Sequence, residues 1–322
     1  MRDNRPMQRR TFLFASATAA LRGASTMRPR ERVDAALAGR DVDRPPFTLW
    51  YHFGLEGKGP VAHARATLDF HSRFETDLVK VMSDFPFPKP GGKWWEVRRV
   101  DNPFPSQISA LNDIRTGLNG RKHFVETIFN PWNVAEKLSS KEEVLRLQSE
   151  QPDRLLSALE AIAKSEASHA RRAINAGASG IFLAIANAQD GIMSQADYAK
   201  FSEPFDRIVL DAAKNAPVNI LHLHGDKVYL DRFLTGWPQA VIHYSQHGTG
   251  VTLRDVRRRY SGALMGGIDE RTFRTTTDAQ FKQQRQTAIA AVGKSLILAP
   301  GCSVPNETTA EDIKRFLGVA TL

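Results

Sequence analysis

The feature that most restricts the fold is alternation. From Arg28 to the C-terminus, short β-rich runs alternate with helical segments. Strand–helix–strand repetition implies parallel pairing, because parallel neighbours need a crossover connection. The runs predict strands over Phe47–Phe53, Asp77–Asp84, Phe124–Phe129, Gly180–Ile185, Val218–His224, Ala240–Ser245, Ala263–Ile268 and Ser295–Ala299. Helices are predicted over Arg30–Ala38, Val61–Phe74, Pro152–Ala176, Gln195–Asn215, Val228–Leu234, Leu253–Tyr260, Thr277–Val292 and Thr309–Phe316. Eight such strands in a chain of 322 residues predict a single-domain α/β fold, the (β/α)8 TIM barrel. No glycine-rich phosphate loop follows an early strand, which disfavours an open doubly wound sheet. The stretch from Phe85 to Lys122 is rich in Pro, Gly and Trp. It reads as a substrate loop or lid, with a β-hairpin over Lys93–Val100 and Ile108–Arg115.

The formal net charge of +9 invites a nucleic-acid reading, but its distribution opposes one. Eight arginines against Asp3 and Glu31 put +6 of it within residues 1–32. A second cluster, Arg254, Arg257, Arg258 and Arg259, reads as a solvated helix face or an anion patch. No nucleic-acid partner is expected. Residues 8–14, QRRTFLF, resemble a twin-arginine export signal, with an uncharged stretch and small residues after them. Residues 1–26 are therefore assigned to a leader and residues 27–322 to the barrel. Export follows if the leader is real, and a cytoplasmic location if translation starts at Met27. No uncharged apolar run is long enough for a membrane span. The single cysteine, Cys302, excludes an intrachain disulfide.

In such barrels, chemistry sits where strands end. Here those positions are conspicuously polar: His52, Asp84, Asn187, His222, His224, His243, Gln246, His247, Asp269 and Cys302. His222 and His224 are two apart on one strand, so both imidazoles face the same way. With Cys302 at the end of another strand, they make a three-ligand set that suits Zn2+ and leaves a fourth position open. Two structural histidines and a buried thiol are the plainer alternative. Asp84 and Asp269 are the candidate catalytic carboxylates. Asp84 could instead cap its loop. The two glycines before Asp269 permit close approach of a ligand or simply serve a turn. His52, Asn187, His243, Gln246 and His247 are candidate substrate-binding residues.

Seven segments carry a more specific resemblance: RERVDAALAGRDVDRPPF (30–47), DLVKVMSD (77–84), FNPWNVAEKL (129–138), GIFLAIANAQDGIMSQADYAKFSEPF (180–205), LHLHGD (221–226), ALMGGIDE (263–270) and LILAPGCSVPNETTAEDIKRFL (296–317). In order, they resemble the uroporphyrinogen decarboxylase superfamily, which includes zinc-containing, corrinoid-dependent methyltransferases. The resemblance implies a barrel with its site in the cleft at the strand ends. From the methyltransferase branch it implies His222 and Cys302 as zinc ligands, with His224 where that branch has cysteine. One thiolate in place of two makes a more Lewis-acidic site, suited to an oxygen substrate more than to a thiol.

In the decarboxylases, an arginine-rich segment after the first strand grips substrate carboxylates. Here that segment is TLWYHFGLEGKGP (48–60), without arginine. Asp84 matches the aspartate that faces the tetrapyrrole N–H groups. The leading expectation is a zinc-dependent methyltransferase-like enzyme acting on a small molecule, with a corrinoid on a partner protein as methyl carrier. A homodimer is compatible with it. The alternatives are a uroporphyrinogen decarboxylase (a carboxy-lyase) and a non-catalytic tetrapyrrole- or metal-binding protein.

Overall fold

The computed structural model describes residues 26–322. The expected leader lies outside the described residues except for Thr26. Seven strands form one parallel sheet in chain order: β1 (Leu78–Val81), β2 (His123–Phe129), β3 (Gly180–Ile185), β4 (Ile220–Leu223), β5 (Val241–Tyr244), β6 (Ala263–Ile268) and β7 (Leu296–Pro300). Each pairs in parallel with the next, as alternation requires. Among the described residues, twelve α-helices flank and connect these strands, beginning with α1 (Pro29–Leu37) and α2 (Pro60–Arg73).

The eighth strand, expected over Phe47–Phe53 as the first stave of a barrel, is reduced to a single parallel bridge between Phe47 and Leu298. The segment still contacts both sheet edges. Toward β7, Leu298 N donates to Pro46 O at 2.8 Å and Thr48 N to Leu298 O at 3.1 Å. Toward β1, Asp77 N donates to Phe47 O at 2.9 Å. The remaining ladder positions are taken by side chains. Phe47 N donates to Asp77 Oδ2, and Thr48 Oγ1 donates to Leu78 O. A carboxylate and a hydroxyl thus stand where strand backbone would. With one segment bound to both edges, the sheet curls.

Proline punctuates the helices. It occupies the first helical position of α1, α2, α3 (Pro105–Leu118), α4 (Pro131–Leu138) and α6 (Pro152–Asn175), where its missing N–H costs nothing. This overturns the expected hairpin. Lys93–Val100 holds only a 3-10 turn, Trp94–Glu96, and Ile108–Arg115 lies inside α3. Gln107, Ala110, Leu111, Ile114 and Leu118 are buried on one face, a helical spacing and not a strand's alternation. α5 (Lys141–Glu150) has an N-cap serine, Ser140, that accepts from Glu143 N.

The helix expected over Gln195–Asn215 is broken into α7 (Gln195–Phe201) and α8 (Glu203–Asp211). Pro204, in the first turn of α8, has no N–H to donate to Lys200 O and its ring would clash with that carbonyl in a continuous helix, so the break falls at Ser202. Val228–Leu234 is a 3-10 turn at Leu230–Phe233. Past β5 come α9 (Gln246–Thr249) and α10 (Leu253–Arg257). The C-terminal pair α11 (Asp278–Val292) and α12 (Ala310–Ala320) closes the chain.

Two apolar layers result. The larger lies between sheet and helices, in two clusters, the second of them under α2 and α3. The smaller fills the curl, with Trp50, Leu78, Met82, Val125, Phe182 and Met265 among its members. Gly267 has φ +105, and a Cβ there would stand 2.6 Å from the Ala288 methyl of α11. This glycine serves helix–strand packing.

A charged cluster binds the start of β1 to α1. Arg32 donates to Asp77 and Asp43, and Arg44 donates to Asp77. Among the described residues, no helix is long and apolar enough to cross a membrane.

Candidate metal centre

β4 ends in Leu221-His222-Leu223, and its alternation turns His222 toward the inside of the curl while Leu221 and Leu223 join the outer core. His224 follows, with its N–H bonded to Ile185 O of β3. β7 ends at Pro300, and the turn beyond it carries Cys302. Gly301 makes that turn fit, because a Cβ there would stand 2.5 Å from Ser245 Cα. Cys302 Sγ lies 3.7 Å from His222 Nε2 and 3.3 Å from His224 Nδ1. One ligating atom from each of the three residues lies within 4.8 Å of the others.

The surroundings hold these groups in ligand form. His222 is packed between Phe182 and His243, with ring centroids at 5.0 and 4.6 Å. Burial pushes its pKa well below the usual histidine value, so the ring is neutral. Burial also opposes charge on Cys302, but the hydrogen bond and charge of His224 outweigh it and lower the thiol. His224 moves up in response to Cys302. Behind the cysteine, Glu270 Oε2 accepts from Gly301 N at 3.1 Å and fixes the turn.

Two cavities meet at this triad. One, of about 410 Å³, is lined by His52, Trp50, Lys80, Phe182 and Lys137 as well as the triad. The other, of about 490 Å³, is lined by Gln189, Asp226, Ser245, Glu270 and Arg271 on the opposite side. A third, of about 340 Å³, adjoins the first at His52 and Lys137 and contains Asp84 and Glu166.

The structure therefore brings together His222, His224, Cys302 and His52, with Asp84 next door. Asp84 Oδ2 is buried without a hydrogen-bond partner, and His52 and His63 each stand 3.8 Å from its carboxylate. His52 outweighs burial and holds the Asp84 carboxyl below its ordinary range.

The other candidates are placed elsewhere. His243 is fully buried behind His222, with Nε2 donating to Pro300 O at 2.9 Å. Asn187 joins a buried network with Asn130, Ser202 and Asp206, where burial pushes Asp206 up to about 7. Gln246 and His247 lie on α9, and Gln246 donates to Gly267 O. Asp269 faces Arg271 beyond β6.

Lys80 was missed by sequence reasoning. It is 4% exposed, on the inner face of β1, and its ammonium sits over the rings of Trp50 and Phe182. Burial lowers it to about 8. The available signal was a charged residue inside an otherwise apolar strand run, Leu78-Val79-Lys80-Val81-Met82.

A seven-stranded parallel sheet with polar groups converging at the C-terminal strand ends defines an α/β enzyme-type fold. The family model "Uroporphyrinogen decarboxylase (URO-D)" matches residues 93–321, and the chain belongs to this family of enzymes. No curated protein matches the chain by sequence. Among solved structures, a methyltransferase from Methanosarcina mazei superposes with a TM-score of 0.73 at 17% identity, covering 92% of this chain and 98% of that one. A B12-independent methionine synthase from Shewanella sp. W3-18-1 gives 0.56 at 14% identity, with 86% and 91% covered. A putative vitamin-B12 independent methionine synthase from Listeria monocytogenes gives 0.56 at 10%, with 87% and 95% covered. At these identities the likeness is one of fold.

Proposed function

We propose that this chain is a zinc-dependent methyltransferase of the uroporphyrinogen decarboxylase family, with the Pro46–Trp50 segment completing a barrel of eight staves around the site. The observation that carries the reading is the spacing of the triad. Zinc bonds of about 2.3 Å to sulfur and 2.0–2.1 Å to nitrogen, set tetrahedrally, separate S and N ligands by about 3.5 Å. The separations of 3.7 and 3.3 Å bracket that value. The donors also suit zinc chemically: a neutral buried imidazole and a thiol biased toward thiolate.

When bound, zinc would act as a Lewis acid on the group that carries or receives the methyl. The chain's own residues do the rest. Phe182 and His243 fix the plane of His222, and Glu270 holds the Cys302 turn. The aromatic cavity presents an apolar wall, Trp50, Phe129 and Phe182, to one side of the triad. The polar cavity on the other side leaves room for a second reactant, as transfer between two molecules requires. A corrinoid on a partner protein is the methyl carrier this reading assigns to that side. The decarboxylase reading is disfavoured, because among the described residues no arginine lines the aromatic cavity. Asp84 takes the role of a base or an N–H anchor at the far end. The leader, where present, would export the folded, metal-loaded protein.

Zinc content after zinc-replete expression tests the proposal. Wild type should hold about one equivalent and Cys302→Ala less than about 0.2. His224→Cys should retain the metal. Methyl transfer from methoxy or methylthio compounds to free cob(I)alamin, followed by visible absorbance, tests the reaction. Zinc-free wild type would overturn the reading.

A further inference from the structure

Lys80 and Lys137 both line the aromatic cavity beside the triad. Lys164, Lys227, Lys294 and Lys314 each have a carboxylate partner. Among the described residues, Lys80 and Lys137 form no ion pair, which is common for lysines at the surface of this chain but not for one that is buried, as Lys80 is. Lys80 is the more telling of the two. The residue is 4% exposed, and the hydrogen bond its ammonium makes goes to the thioether of Met82 at 3.0 Å, a weak acceptor. Its ammonium lies 4.7 Å from the centre of the Phe182 ring, which itself packs against His222. Lys137 stands at the more open side, over the Phe129 ring. Aromatic faces offset part of the cost of a buried cation, but they do not replace an anion.

The rest of the wall near Lys80 is Trp50, Met82 and Phe182. A cavity of about 410 Å³ is at the small end of small-molecule sites. The lining thus combines an apolar slot, the metal triad, a buried cation that makes no ion pair, and one carboxylate, Glu136, whose oxygens already accept from Trp132 Nε1 and Asn133 Nδ2.

We infer that the methyl-bearing substrate is a small organic anion with an apolar body. Its carboxylate or a similar group pairs with Lys80 and Lys137, and its body lies between Trp50, Phe182 and Phe129. Its reacting atom is thereby turned toward the triad. The inference rests on the methyltransferase reading for its chemical role but not for the binding itself.

Isothermal titration of the protein with meta-methoxybenzoate and its neutral analogue meta-methoxybenzamide separates the two. Wild type should bind the anion at least about tenfold more tightly than the amide, the worth of one charge-assisted pair. The preference should survive removal of metal by a chelator, disappear in Lys80→Met and weaken in Lys137→Met. Melting temperatures and far-UV spectra check that each variant is folded. Equal affinity for the two probes, no binding of the anion, or a preference undiminished by Lys80→Met overturns the inference. So does a preference seen only in metal-loaded protein, which would assign the anion to the metal. Failure of methyl transfer with the anion preference intact removes the methyltransferase reading and leaves this one standing.

Discussion

Asp77 and Lys80 are three residues apart on one strand segment, both buried, and their surroundings could hardly differ more. Asp77, fully buried, meets Arg32, Arg44 and the backbone N–H of Phe47. Lys80 meets two aromatic rings and a sulfur. At the start of the strand every charge is answered within the chain. At the C-terminal ends, Lys80 has no ion pair and Asp84 Oδ2 no hydrogen bond among the described residues, and both border cavities beside the triad. A buried group with all its partners holds a fold in place. One without partners costs stability and is explained by something the chain does not itself supply.

The comparison can be broken at either end. The largest expected effect is at Asp77. Arg32→Ala removes one of two guanidinium partners from the buried Asp77 and the partner of Asp43, and should cost about 2–3 kcal/mol in chemical denaturation. On the proposed function, the variant should hold as much zinc as wild type. A loss of metal with little loss of stability would reverse the roles assigned to the two ends.

Lys80→Met should do the opposite. Replacing an uncompensated buried cation by an apolar chain of similar length should stabilise the fold by about 1 kcal/mol or more at neutral pH. Sign and pH dependence follow from burial lowering Lys80 to about 8 against 10.5 in the unfolded chain. Below about 8 both states carry the proton, and the folded state bears the full penalty. As pH rises from about 8 to 10.5 the folded state sheds it first, so wild type regains stability. The advantage of Lys80→Met should therefore shrink over that window in paired melting curves. An advantage independent of pH would mean that Lys80 is not charged there.

The smallest effect concerns Asp43. The hydrogen bond from Arg32 holds its carboxyl below the ordinary range. Its contribution is present above the unfolded value and lost as pH falls below it. Asp43 is partly exposed, so Asp43→Asn should cost less than about 1 kcal/mol at pH 7. Wild type and variant should converge in acid. A gap that persists in acid would assign the cost to packing.

Much of this was legible beforehand, and the reasons differ by region. The strands β2 to β7 follow from local apolar runs, and the pairing of His222 with His224 follows from strand alternation. The first stave was misread because Asp77 and Thr48 side chains replace its ladder bonds. The hairpin was misread because prolines suggested turns where Pro105 starts a helix. Lys80 was missed because local sequence does not say whether a lysine finds a carboxylate.

From sequence alone came the parallel α/β alternation, the gathering of polar residues at the strand ends and the family. These rest on periodicity and on motifs, which are local. The sequence put Cys302 at the same end as His222 and His224, and the tertiary structure alone decided the distances at which it meets them, 3.7 and 3.3 Å. It also decided that Asp77 is paired, that Lys80 is not, and that the sheet has seven regular strands joined at its edges by a segment of another kind. Those are questions of which distant groups meet, and only the folded chain brings them to a common point.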